Sequence, residues 1–243
     1  MSDEESGASW FRRICALNKL SVSSRQAELL EEYVGLLLQW NRKINIISRR
    51  DEPNIWTRHI LHCASLLFSV SIQENAKVVD LGTGGGLPGI PIKILIPTLS
   101  VTLIDSIKKK TEAVADLVNR LGLSNMKVQC ARAEELTTRK SFKAEFDLVV
   151  ARSVADLRQL VEWSLPFLKL TKSDVSKEIK AQGKGFIQSP ALVAMKGGDL
   201  TNELAATRRR NKHVKDIEVI DLKIEGIDES HNPNRKAVIV HFQ

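Results

Sequence analysis

A chain of 243 residues, 43% of them hydrophobic and 27% charged, has room for one large domain or a domain with a small appendage, at roughly 100 to 200 residues per domain. Those fractions are ordinary globular values and exclude disordered, collagenous and peptide-like classes. The net charge of +7 and a pI of about 9.4 favour a partner that carries phosphate or an acidic surface.

The chain opens on an acidic M-S-D-E-E-S, where a secretory signal would be basic. Residues 10–20, W-F-R-R-I-C-A-L-N-K-L, have the amphipathic texture that a transit peptide imitates. Over 24–41, Leu29, Leu30, Tyr33, Val34, Leu37, Leu38 and Trp40 recur at three- and four-residue spacing, which predicts an amphipathic helix. A second helix is predicted over 55–70, behind Pro53, whose fixed φ suits a first turn. Residues 1–72 therefore read as a helical N-terminal extension, and 73–243 as the main domain.

From residue 77 the texture changes. The β-branched run 77–81 enters a cluster of glycines, and runs at 100–105, 126–130, 146–151 and 191–196 read as further strands. Helices are predicted between them at 107–121, which Gly122 can cap, at 156–168 and at 200–210. Strands alternating with helices imply a mostly parallel sheet with helices on both faces, an α/β architecture. Two later β-rich runs, 216–224 and 237–242, are close enough to pair as an antiparallel end. Residues 172–190 are poor in large apolar side chains and read as a loop or insertion.

Between residues 169 and 215 the excess of Lys and Arg over Asp and Glu is seven, equal to that of the whole chain. The cluster Arg208, Arg209, Arg210, Asn211, Lys212 closes a predicted helix, where cations also complement the helix C-terminus. Its functional reading is an anchor for an RNA phosphate backbone. Three cysteines, odd in number and far apart, fit neither a disulfide framework nor a zinc ribbon. With no apolar run near the roughly 18 residues that span a bilayer, the chain reads as cytoplasmic, with no membrane partner.

The sharpest feature is residues 78–91, V-V-D-L-G-T-G-G-G-L-P-G-I-P. Glycines at a strand end let the backbone turn sharply and come close to a ligand. Gly84, Gly86 and Gly89 satisfy G-x-G-x-x-G, with Asp105 about 20 residues on, so an NAD-type oxidoreductase competes as a reading. Pro88 and Pro91 stand where a phosphate-binding helix should offer N–H donors, and the acidic Asp80 opposes an anion. An acid before G-x-G suits a ligand with a cationic end, such as S-adenosylmethionine, and Asp105 can accept from ribose hydroxyls in that case too. His59 and His62 share a predicted helix, but no third ligand in a catalytic pattern accompanies them, so no metal site is assigned. Trp40, Trp56 and Trp163 read as core residues.

This loop stands with W-N-R-K-I-N-I at 40–46, R-H-I-L at 58–61, A-R-A-E-E at 131–135, A-R-S-V at 151–154 and M-K-G at 195–197. Together they resemble the small-subunit (16S) ribosomal RNA guanine-N7 methyltransferases, the glucose-inhibited division B family, from about residue 25 to the C-terminus. The resemblance implies a Rossmann-like class I methyltransferase with a seven-stranded sheet, acting on small-subunit ribosomal RNA or the small ribosomal subunit; the sequence leaves the oligomeric state open, with a monomer as the default expectation. It implies cofactor contacts at Gly82, Leu87, Ala133, Glu134 and Arg152, beside Asp80, Gly84, Gly86 and Asp105 from the loop reading. It places the basic residues Arg132, Arg152, Lys196 and Arg235 near the active cleft. His62-Cys63 departs from the family's usual Asp-Ser, and 172–190 is longer than the family pattern. A non-enzymatic RNA-binding module with the same fold is the remaining alternative.

Overall fold

The computed structural model describes residues 5–170, 185–210, 212–228 and 234–243. Most of the stretch 172–190 lies outside them, as do Asn211 and the side chains of Arg209 and Arg210.

The N-terminal third is helical. Helix α1 (Gly7–Leu17) is capped by Ser6, whose hydroxyl accepts from the Ser9 N–H, and it buries Ala8, Phe11, Ile14 and Cys15. Residues 10–17 are therefore a packed helix, with the Phe11 ring 5.8 Å from that of Trp56. Helix α2 (Ser24–Ile44) starts with a capping box between Ser23 and Gln26 and ends on Asn45 in the left-handed region, φ 48°. The helix predicted over 55–70 is two pieces, with a third helical segment just before it. A 3-10 segment Arg49–Asn54 contains Pro53, a single π-helical turn spans Trp56–Ile60, and α3 follows at Leu61–Ser69.

Strand β1 (Val70–Ser71) pairs in parallel with the short β6 (Gly185–Phe186), apart from the main sheet. The main sheet contains β2 (Lys77–Leu81), β3 (Ser100–Asp105), β4 (Met126–Cys130), β5 (Leu148–Arg152), β7 (Ala191–Gly197), β8 (Val214–Asp221) and β9 (Arg235–Phe242). Their spatial order is β4-β3-β2-β5-β7-β9-β8. The first five are mutually parallel, and β9 runs antiparallel to both β7 and β8. The two late strands do pair antiparallel, but the last one inserts between its partner and the parallel strands. The reason is visible in burial: Ala237, Val238, Ile239 and Val240 are apolar on both faces and fully covered, whereas β8 buries only Ile217 and stays at the edge.

Strand alternation divides the core. Val78, Val101, Leu103, Leu148, Val150, Val193 and Ile239 face one cluster, which continues through α1, α2, α3, α4 (Gly89–Leu95) and α5 (Lys108–Arg120). Val79, Leu81, Ile104, Val149, Leu192 and Val238 face the other, against α6 (Ala133–Leu136), α7 (Leu157–Ser164) and α8 (Thr201–Arg210). The helical N-terminal segment thus shares a core with the sheet. No described helix is long and apolar enough to cross a membrane.

Burial also sorts the cysteines. Cys15 and Cys63 are inaccessible, and burial pushes their thiols up to about 12 and about 11, while Cys130 is exposed. A thiol-specific chromogenic reagent should therefore titrate one thiol rapidly in the folded protein and all three after denaturation. Rapid reaction of a second thiol under native conditions would contradict this packing.

Candidate active site

Strands β2 and β5 are neighbours whose chains leave the sheet in opposite directions, so the crevice at their carboxyl ends is a topological switch point, the usual ligand position in open α/β sheets. The glycine loop turns there. Gly82, Gly84 and Gly86 have φ of 66°, 57° and 94°, and around Gly84 a Cβ would meet nothing within 4 Å.

Almost every amide of the loop is already used from within. The Thr83 carbonyl accepts from the N–H groups of Gly86 and Leu87, both at 2.9 Å. Asp105, at the end of β3, takes the Gly84 N–H on Oδ2 (3.0 Å) and the Ile107 N–H on Oδ1 (2.9 Å). Asp80 lies fully buried beneath the loop, its Oδ2 accepting from the Thr83 hydroxyl (2.6 Å) and the Gly89 N–H (2.9 Å). Its Oδ1 is buried without a partner. Burial raises the Asp80 carboxyl to about 7, against the lowering effect of these two hydrogen bonds and of the Arg152 guanidinium. Gly89 is where glycine is sterically required, because a Cβ there would stand 2.4 Å from Leu103 Cδ2 and 2.7 Å from Asp80 Oδ2.

The first turn of α4 has no donor left for a phosphate. Gly89 gives its N–H to Asp80, Ile90 to the Gly86 carbonyl (2.7 Å), Ile92 to the Pro88 carbonyl (3.1 Å), and Pro91 has none. What the site holds instead is Asp105 at the end of β3 and, buried beneath a shell of engaged amides, the Asp80 carboxyl. Such an arrangement suits a cation and a pair of hydroxyls better than a pyrophosphate.

The N-terminal helices hold this loop from behind. The Tyr33 hydroxyl, buried on α2, donates to the Gly85 carbonyl at 2.8 Å, and Gln26 donates to the carbonyls of Ile94 and Leu95 at the end of α4. Sequence reasoning placed Tyr33 in the core only. A signal existed: it is the chain's single tyrosine, on the buried face of a helix, where a hydroxyl must find a partner.

The four basic candidates are not equivalent. Arg152 at the end of β5 and Arg235 at the start of β9 face the N-terminal helices; Arg152 Nη2 lies 3.0 Å from His59 Nδ1, and Arg235 Nη1 donates to the Thr57 carbonyl at 3.2 Å. Lys196 faces the opposite side of the sheet, donating to the Ala155 carbonyl (2.8 Å) and forming an ion pair with Glu203. Arg132 is exposed, as N-cap of α6. The neighbouring Ala133 is partly exposed and Glu134 exposed, in the turn beyond β4, while Leu87 is buried in the core under the loop. Thr83 lies in the glycine loop but was not singled out there, and Glu203 and the Thr57 carbonyl had no sequence signal pointing to them. Of the basic run 208–212, Arg208 donates to the Ile217 carbonyl at 3.2 Å. Among the described residues, no group of three or more His, Cys, Asp or Glu is placed to hold a metal ion.

A seven-stranded sheet with one reversed strand next to its edge and a glycine turn at the switch point is the fold of class I S-adenosylmethionine-dependent methyltransferases. It is shared with a predicted O-methyltransferase from Agrobacterium tumefaciens, with a TM-score of 0.52 and 16% identity over 76% of this chain and 80% of that one. A SAM-dependent methyltransferase from Aquifex aeolicus has a TM-score of 0.50 and 15% identity, over 79% of this chain and 94% of that one. The chain belongs to the GidB family, rRNA small subunit methyltransferase G, which it matches over residues 26–227. It is 33% identical over 207 residues to the ribosomal RNA small subunit methyltransferase G of a Thermoanaerobacter species, covering 84% of this chain and 79% of that protein.

Proposed function

We propose that this chain methylates N7 of a guanine in small-subunit (16S) ribosomal RNA, in the cytoplasm, with S-adenosylmethionine as donor. The observation that carries the donor reading is the loop's electrostatics: its amides are engaged, and the oxygen of Asp80 that has no partner lies beneath it. When bound, the donor supplies a methyl group already activated by its sulfonium. The residues present fit it. Asp105 keeps lone pairs on both oxygens for the ribose hydroxyls, Asp80 places negative charge under the cationic end, and the backbone from Gly82 through Gly84 to Gly86 lets the ligand approach. Leu87 forms the apolar floor, and Ala133 and Glu134 border the adenine position.

A ring nitrogen that attacks with its own lone pair has no proton to lose, so no general base is required. The work left for the chain is alignment, which can contribute several kcal/mol. In this reading Arg152 and Arg235 bind oxyanions of the reactants, Arg132 adds positive potential at the rim, and Lys196 holds the loop after β5 through its bond to the Ala155 carbonyl.

The discriminating experiment has two arms. S-adenosylhomocysteine at about a hundredfold its Kd should stabilise the protein by about 2.7 kcal/mol, whereas NAD should not move its melting temperature. Mass mapping of nucleosides from small-subunit RNA should show 7-methylguanosine that depends on this protein. Protection by NAD would favour the oxidoreductase, and donor binding with unaltered RNA would leave only the binding module.

A further inference from the structure

Arg152 and Arg235 are a pair of cations on one face of the sheet, and burial, then the Arg152 charge, disfavours the charge on Arg235. Their hydrogen-bond partners are nevertheless neutral: the His59 ring and the Thr57 carbonyl. Both partners come from one place, the π-helical turn Trp56–Ile60. Such turns are rare, and they occur often at functional sites.

The imidazole's state is fixed by its surroundings. It is largely buried, with Asp51 Oδ2 at 3.8 Å from Nε2 and the Arg152 guanidinium at Nδ1. Burial, then the Arg152 charge, lowers its pKa to about 4, with Asp51 opposing. Since a guanidinium can only donate, Nδ1 accepts and the proton is on Nε2, on the side of Asp51. Asp51 itself is engaged by Arg58, at 2.6 Å.

We propose that His59 is a positioning residue for methyl transfer, a neutral acceptor on the π-turn that fixes the Arg152 guanidinium at the carboxyl edge of the sheet while leaving its charge free for an oxyanion of the reactants. A carboxylate in the same place would orient the arginine equally well but would cancel the charge it is there to present. This rests on the methyl-transfer reading above. The oxyanion is the donor's carboxylate or an RNA phosphate, two sources of one chemistry.

The test is a set of substitutions assayed by transfer of a labelled methyl group to small ribosomal subunits lacking the modification. His59→Phe should lower kcat/KM at least tenfold, since small misplacements of an aligning group have effects of that size or larger. His59→Asn, which returns an acceptor near the place of Nδ1, should stay within about threefold of the unmodified protein. His59→Asp should orient and neutralise, and should be as poor as His59→Phe. In an Arg152→Ala background, His59→Phe should add no further loss, because the two residues act as one unit. A rise in donor Kd by calorimetry assigns the oxyanion to the donor, and a rise in KM for the subunit alone assigns it to RNA.

Circular dichroism and the melting temperature accompany each variant, and His59→Asn keeps the test valid should His59→Phe fail to fold. If Arg152→Ala reduces activity but His59→Phe multiplies that loss, or if folded His59→Asn is as poor as His59→Phe, the positioning role is wrong and the methyl-transfer reading stands. If His59→Asp is as active as the unmodified protein, the charge argument is wrong. If Arg152→Ala alone changes nothing, this role falls together with the part assigned to Arg152 in the reaction.

Discussion

Gly84→Ala is expected to fold normally and to bind S-adenosylmethionine at least tenfold more weakly, whereas Gly89→Ala is expected to unfold early. Both positions lie in one loop, and their surroundings are opposite. At Gly84 the backbone has φ 57° and an added methyl meets nothing within 4 Å. The cost to the fold is then the left-handed strain alone, roughly 1–2 kcal/mol, while the methyl stands in the space over the sheet edge that the donor is proposed to fill. At Gly89 the added methyl overlaps Leu103 and Asp80, which forces apart β3, α4 and the carboxyl that holds the loop. Overpacking of this kind typically costs about 1–3 kcal/mol, and the strained Gly89–Asp80 bond adds to it, so a fall in melting temperature of about 6–12 °C is expected. Calorimetry with the donor and thermal melts of both variants check the pair. Gly84→Ala with undiminished affinity would move the donor away from this loop.

The strands and helices were legible where one physical signal dominated. Apolar β-branched runs bounded by glycine or polar turns marked all five parallel strands, and three- and four-residue spacing marked α2, because burial on one face leaves a period in the sequence. The π-turn left no such mark. Residues 55–70 have a helical pattern throughout, and the partners that the π-turn Trp56–Ile60 meets, Arg152 and Arg235, are about 90 and 180 residues further on. The position of β9 inside the sheet was likewise set by long-range pairing, although its two-sided apolar run is a cue that the strand is central.

The candidate site was legible as a set of residue types and much less so as geometry. Asp80 and Asp105 were visible as acids at strand ends, but not that one lies under the loop with an oxygen lacking a partner and the other pins it through the Gly84 amide. Lys196 and Arg235 both read as basic residues near a cleft. Strand alternation and register send them to opposite faces, one to Glu203 and the other to the π-turn. A single-residue register difference decides that, and neither charge nor spacing encodes it.

Asp80 supplies a pH dependence that one substitution can isolate. Burial raises its folded-state pKa from an ordinary 3.8 to about 7, so the folded protein holds a proton that the unfolded chain has already released across that interval. Its contribution is fully present below pH 3.8 and is lost as pH rises to about 7. The buried histidines have the opposite sign. His59, lowered to about 4, and His62, lowered well below its ordinary 6.5, both chiefly by burial, contribute stability above pH 6.5 that is lost as pH falls. In the unmodified protein the two trends oppose one another between about pH 4 and pH 6.5, and with two histidines against one carboxyl the net expectation there is a stability that rises with pH. Asp80→Asn removes one of them. The amide still accepts from Thr83 and Gly89 through its oxygen and never ionises, so the difference in unfolding free energy between variant and unmodified protein should move in the variant's favour by about 3 kcal/mol between pH 5 and pH 8, at about 1.4 kcal/mol per pH unit over which only the unfolded state is ionised. Urea unfolding without donor at both pH values measures it. A difference that does not change with pH would mean that the carboxyl ionises as readily in the fold as in water. The same substitution removes the negative charge placed beneath the donor's cationic end. Donor affinity should therefore fall in the variant under the alkaline conditions where its fold gains most, which separates a carboxylate retained for binding from one retained for stability.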